Sequence, residues 1–303
     1  MKKIFVAIVA LAAAVSCSNN DIISIDRQTI GFGNPFVNNS VRATDPTDGA
    51  VNKLTSFNVY GTVTGTAGTV NIFDGVTVTG TVGNTVWSYD DQYAQYWIPG
   101  ASNNFAAVGN ADAVTQNELK MPTALTYDTA GQKDLLYATA SVNNASANQG
   151  AVNMNFSHLL SKAQFTVTSN TAGGYYHSVT NIKISNFETG TYTIADGTWA
   201  GTTAQDIVFG AVNEVTAASG AKTNDTQMLL VPNAATFNVT FTVDLYKNGT
   251  KLGTETKSIP VETDLVKGNS YNFTIACSVG NPIKFTVTND PAWADPTTDV
   301  TVQ

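Results

Sequence analysis

Apolar and polar residues alternate with a period of two in short runs along most of the chain, and no stretch after the first twenty residues sustains a helical period. Phe57-Val59, Phe165-Val167, Ile182-Ile184 and Tyr192-Ile194 each place apolar side chains two apart. The longest run, Phe237-Val239-Phe241-Val243-Leu245, leads into Asn248-Gly249, a strong hairpin-turn pair. In Tyr271-Phe273-Ile275-Cys277-Val279 the odd positions fall on one face of a strand, which makes Cys277 a small buried hydrophobe. Abundant Thr and Val suit pleated, half-buried strands. Short strands at this spacing, joined by polar turns, predict an all-β protein built from β-sandwiches, with one brief helical turn near Ser157–Lys162.

Composition marks the divisions. The Gly/Thr tract from Gly61 to Gly83 reads as loop, and the Asn/Ala tract from Ser141 to Gly150 as a linker. A split there gives sandwiches over residues 43–155 and 156–281. After Gly280-Asn281-Pro282, residues 282–303 form a C-terminal strand tail carrying Ile283, Phe285, Val287, Val300 and Val302. Strand-like sequence at a terminus must pair with something or leave an open edge.

Charge and residue counts then narrow the function. The 303 residues hold 15 basic and 23 acidic side chains, a net charge of −8, and only 13% charged residues. Nucleic-acid binding needs clustered Lys and Arg, so that class is excluded. With two cysteines and two histidines the chain has neither a disulfide scaffold nor a four-thiolate zinc set. His158 and His177 are far apart in sequence and lack metal-site companions; Gly31-Phe32-Gly33 has no phosphate-loop continuation; no Ser-His-Asp or paired-carboxylate signature stands out. Asp45-Pro46-Thr47-Asp48-Gly49 and Asp90-Asp91 read as solvated turns. No catalytic residue, metal site or cofactor is implied, which points to a binding or structural protein. The dense aromatic run Trp87, Tyr89, Tyr93, Tyr96 and Trp97 suits core packing better than sugar stacking.

The N-terminus has the form of an export signal. Lys2 and Lys3 precede an apolar stretch from Ile4 to Val15, too short for the ~20 residues of a membrane span. Ala14-Val15-Ser16-Cys17 resembles a lipobox, so residues 1–16 read as a lipoprotein signal peptide and Cys17 as a diacylated N-terminus. Losing Lys2 and Lys3 takes the net charge from −8 to −10.

Several segments together resemble the fimbrillin family, the type V pilus subunits of Bacteroidetes. They are the lipobox; Trp87-Ser88-Tyr89 with Trp97-Ile98-Pro99 and Phe105-Ala106-Ala107; Asp134-Leu135-Leu136-Tyr137-Ala138; Phe156 through Val167; and Leu229-Leu230-Val231-Pro232. The resemblance implies two tandem transthyretin-like β-sandwich domains. It also implies export as a lipoprotein to the outer membrane, proteolysis at an arginine, and polymerisation with copies of itself or related fimbrial subunits into an adhesive surface fimbria whose target is a host protein or glycan. Asp128-Thr129-Ala130 resembles the short O-glycosylation signal of that bacterial group.

Only two arginines occur, Arg27 and Arg42. Between them Ile30 and Phe32 alternate like a core-facing strand. Cleavage after Arg27 leaves that strand attached, whereas cleavage after Arg42 removes it with the lipid. Residues 17–42 therefore read as a propeptide with Arg42 as its processing site and Ile30 and Phe32 as a displaced strand. A neighbour's tail, with Ile283, Phe285, Val287, Val300 and Val302 as candidates, is expected to fill the vacated groove by β-augmentation. The alternatives are a tip, anchor or accessory subunit, a glycan-binding surface lipoprotein using the aromatic run, and, last, a β-sandwich hydrolase.

Overall fold

The computed structural model describes residues 28–33, 35–37, 54–80 and 87–290. In chain order the strands are β1 (Phe36–Val37), β2 (Ser56–Gly65), β3 (Gly68–Thr79), β4 (Ser102–Gly109), β5 (Ala113–Gln116), β6 (Pro122–Asp128), β7 (Leu136–Val142), β8 (Asn155–His158) and β9 (Ser161–Ser169). They continue as β10 (Tyr175–Thr193), β11 (Thr198–Val208), β12 (Val212–Val215), β13 (Lys222–Thr223), β14 (Met228–Leu230), β15 (Phe237–Lys247), β16 (Thr250–Val261), β17 (Ser270–Cys277) and β18 (Lys284–Asp290). The chain is all-β and forms two sandwiches.

The N-terminal sandwich is built on a six-stranded sheet in the order β1-β8-β7-β4-β2-β3. Its central strands are buried on both faces, so β4 reads as a nearly continuous apolar run rather than an alternating one. Phe105 and Ala107 point to one core with Phe57, Val59 and Phe73, while Ala106 and Val108 point to another with Tyr60, Leu125 and Tyr127. Strands β5 and β6 and the end of β10 cover the second face. Strand β10 is a spine shared by both halves. Along one edge it pairs with β15 through Tyr175–Ile184 and then with β6 through Thr189–Thr193.

In the C-terminal sandwich, β10, β15, β16 and β12 pack on a five-stranded sheet ordered β13-β9-β17-β18, with β14 also on β9. Strand β17 runs parallel to β9, Phe273 beside Phe165, a pairing across more than a hundred residues. Phe165, Val239, Phe241, Phe273 and Ile275 form the dry centre of this core.

The structure changes several local expectations. The Gly/Thr tract is the β2–β3 hairpin through residue 79, with its turn at Gly65–Gly68. Gly61 fits there because a Cβ would come within 3.0 Å of Phe73 and 3.1 Å of Phe105. The helical turn expected at 157–162 is instead the passage from β8 to β9. Leu159 and Leu160 are both buried, and the Leu159 N–H bonds to the Leu135 carbonyl at 3.0 Å. The Asn/Ala tract is a loop of the N-terminal half, with Ala145, Val152 and Met154 in its core; the change of sheet comes later, at 159–160. Asn248 and Gly249 have φ of 48° and 81°, the paired left-handed conformation of a type I′ hairpin turn. Cys277 is buried on the face shared by Tyr271, Phe273 and Ile275, and burial raises its thiol pKa to about 12. Val279 lies in the turn beyond and is exposed.

The two histidines occupy separate sites. The Nδ1 of His158 is 2.6 Å from Asp134 Oδ2, both side chains buried. His177 is buried with Nδ1 2.8 Å from Ser169 Oγ, and burial lowers its pKa below 6.5. A lowered histidine pKa favours the fold while the ring is neutral. The stability it contributes is complete above pH ~6.5 and is lost as pH falls from there through the folded value. His177→Gln is expected to flatten the acid limb of stability below about pH 6.5, as read by urea midpoints at each pH.

Candidate functional site: the N-terminal strap

One face of the six-stranded sheet is roofed not by a second regular sheet but by three largely irregular segments, one of them with a 3-10 turn at Asp91–Tyr93. They are residues 28–33, 87–97 and 145–154, and the first is the middle one. The Gln28–Gly33 strap is hydrogen-bonded along both edges. On one side the Ile30 N–H donates to Gln95 O at 2.8 Å and the Trp97 N–H to Gln28 O at 3.2 Å. On the other, the Val152 N–H donates to Gly31 O at 2.8 Å and the Gly33 N–H to Val152 O at 2.9 Å. Tyr89 closes the top, its hydroxyl donating to Ile30 O at 2.6 Å. Just beyond, β1 pairs in parallel with β8, Phe36 beside Asn155 and Val37 beside Phe156.

Side-chain alternation sends Ile30 and Phe32 inward, where they are 1% and 2% exposed. The Phe32 ring meets Phe73, Phe105, Tyr89 and Phe57 edge-on, with centroids 5.7, 5.9, 6.0 and 6.2 Å away. Burying two such side chains contributes about 3–6 kcal/mol, and the aromatic pairs add to it. Residues 28–33 carry no charge, so salt has little hold on this contact. Removing the strap would open a groove floored by aromatic rings, with unpaired backbone groups at Gln95, Trp97 and Val152 along its two lips.

The other candidate residues are distributed as follows. Cys17, Arg27, Arg42, Val300 and Val302 lie outside the described residues. Ile283, Phe285 and Val287 are not a detached tail. Strand β18 pairs with β17 in continuous register, Phe285 beside Ile275 and Val287 beside Phe273. Val287 is buried, and Phe285 stacks on Phe241 and Phe273 at 6.1 Å each. In the aromatic run, Trp87 and Trp97 belong to the segment paired alongside the strap and bury their side chains in the same core, whereas Tyr93 and Tyr96 are exposed. Thr129 is buried, its hydroxyl donating to Phe187 O at 3.2 Å and Glu188 O at 2.8 Å, so it is a structural residue of the turn after β6 and not an accessible sugar acceptor. Sequence reasoning missed β1, although Pro35-Phe36-Val37 is an apolar run in step with the strap. It also missed Val152 and Gln95, which hold the strap through backbone groups that no side-chain pattern marks.

Known structures share this architecture. A fimbrial protein from Bacteroides vulgatus superposes with a TM-score of 0.64 at 16% identity, over 88% of this chain and 99% of that one. Candidate cell adhesion proteins from Bacteroides uniformis and Bacteroides ovatus each give 0.55, at 16% and 13% identity. Those matches cover 89% and 87% of this chain and 100% and 96% of theirs. Curated proteins yield no match. The sequence profile of the fimbrillin-like family matches residues 42–291, and the chain belongs to that family.

Proposed function

We propose that this chain is a structural subunit of an adhesive cell-surface fimbria. It is exported as a lipoprotein through Cys17, held at the outer membrane, cut after Arg42, and then polymerised by donor-strand exchange with copies of itself or related subunits. The observation that carries this reading is the strap: a strand bonded on both edges and packed into the core, yet joined to the rest of the chain only through the segment that contains Arg42. Cleavage there releases both the strap and β1. Cleavage after Arg27, next to Gln28, releases neither.

The geometry also favours one part of the C-terminus as the donor. Drawing out β18 would strip Phe285 and Val287 from the subunit's own core. Residues 291–303 leave that core intact and end in the alternation Val300-Thr301-Val302. An inserted strand would pair with both lips of the groove and bury apolar side chains against Phe57, Phe73 and Phe105. The contact joins unlike surfaces, so repetition extends a filament rather than closing a dimer.

Trace trypsin on the lipid-free protein tests the reading. A stable core beginning at Ala43 and a ladder of SDS-resistant oligomers are expected. In a Lys53→Gln background, which removes trypsin's other site between β1 and β2, Arg42→Ala should abolish the ladder; a ladder that persists unchanged rules out Arg42 as the processing site.

A further inference from the structure

We infer that Pro291-Ala292-Trp293 docks in a groove on the subunit's own C-terminal half, which fixes where the exchangeable tail begins. The groove has a volume of about 590 Å³ and lies between the β10–β11 hairpin, the loop at 232–235 and the segment leading into β17. Its floor is an aromatic shelf made possible by facing glycines. Gly190 and Gly201 sit opposite each other in the β10–β11 pair. A Cβ on Gly190 would come within 3.0 Å of the Trp199 ring, and one on Gly201 would collide with Phe187. Trp199 is locked by its indole N–H on Leu159 O at 2.8 Å, and both rings are partly buried, each keeping some surface open to solvent.

Along the rim, Val266 is 45% exposed and Ala234 and Ala235 are open to solvent. Lys267 supplies the charge. Its ammonium donates to Tyr192 Oη at 2.6 Å and to Gly197 O at 3.3 Å, which leaves one of its three N–H groups for an incoming acceptor.

Three features make the tail the occupant. The first is continuity: Asp290 pairs with Ser270, three residues after Lys267, and β18 runs opposite to β17, so the chain leaves β18 toward the side from which 265–269 enters. At about 3.3 Å per extended residue, Trp293 lies within about 10 Å of Asp290 along the chain. The second is shape chemistry: Pro291 and Trp293 are the large apolar residues at that reach, and a proline–tryptophan pair suits an aromatic shelf. The third is charge: residues 290–303 carry Asp290, Asp295 and Asp299 with no basic residue, opposite Lys267. Anchoring through Trp293 leaves 294–303 as a strand of roughly 33 Å for a neighbour. This last step alone rests on the strand-exchange reading.

The test uses the full uncleaved chain at low concentration. Trp293 emission is isolated as the difference between the intact protein and Trp293→Phe, and its acrylamide quenching is compared with that of a peptide of residues 288–303. Several-fold shielding is expected in the protein, and Val266→Asp with Ala235→Asp should return it to the peptide's level. Both positions are exposed, and circular dichroism checks the sheets. If that pair unfolds, Lys267→Glu is the variant, and partial loss of shielding is expected. Quenching equal to the peptide's, or shielding indifferent to the groove variants, overturns the assignment. Shielding that fades on dilution overturns it as well, because the groove then holds a neighbour's tail. No polymerisation enters this measurement, so a missing trypsin ladder with Trp293 still shielded counts against the fimbrial reading alone.

Discussion

Phe32→Ala is expected to destabilise the uncleaved chain by about 3–5 kcal/mol, the range for a large aromatic side chain removed from a packed core. Phe32 is 2% exposed and touches four aromatic rings, and the strap around it has no freedom to collapse because both its edges are pinned. Trp87 and Trp97 lie in the same cluster, so their fluorescence in urea reports the transition directly. After cleavage at Arg42 the substituted residue leaves with the strap, and the released core should behave as wild type. A loss below about 1 kcal/mol in the uncleaved protein would mean that the strap is a dispensable cover rather than a core strand.

Two truncations a few residues apart are expected to give opposite results. A chain ending at Asp290 should fold as a monomer with both sandwiches intact and form no ladder after trypsin, because β18 is intact and only the proposed donor is missing. A chain ending at Asn281 should lose its C-terminal sandwich, seen as aggregation or loss of the cooperative unfolding transition. That cut strips β17 of its antiparallel partner and the core of Val287, with Phe285 and Ile283 packed beside it. Each such side chain contributes about 1.5–3 kcal/mol when fully buried, against a total stability that is ordinarily only ~5–15 kcal/mol. If the chain ending at Asn281 stays folded, β18 is itself removable and the donor extends back to Ile283.

Much of the strand content was readable because strand and hairpin signals are local. Phe237–Leu245, Tyr271–Cys277 and the Asn248-Gly249 turn each depend on side-chain alternation and on φ preferences within a few residues. The Gly/Thr hairpin was not readable, because glycine at Gly61 serves the close approach of Phe73 and Phe105, which are distant in sequence. The 157–162 passage misled for a similar reason: Leu159 and Leu160 are both apolar because they enter the core between the two halves, not because they lie on one face of a helix.

The strap shows where the boundary runs. Alternation at Ile30 and Phe32, and the confinement of arginine to positions 27 and 42, are properties of the sequence alone, and they were enough to single out a short apolar strand flanked by the chain's two arginines. That this strand lies between residues 87–97 and 145–154, and that 283–290 is a working edge of the C-terminal core rather than a tail, was decided only by the tertiary structure. Alternation says which side of a strand is apolar, but it carries no address for the partner. Pairing such as β17 on β9 is chosen by which surfaces remain to be buried once the whole chain has closed.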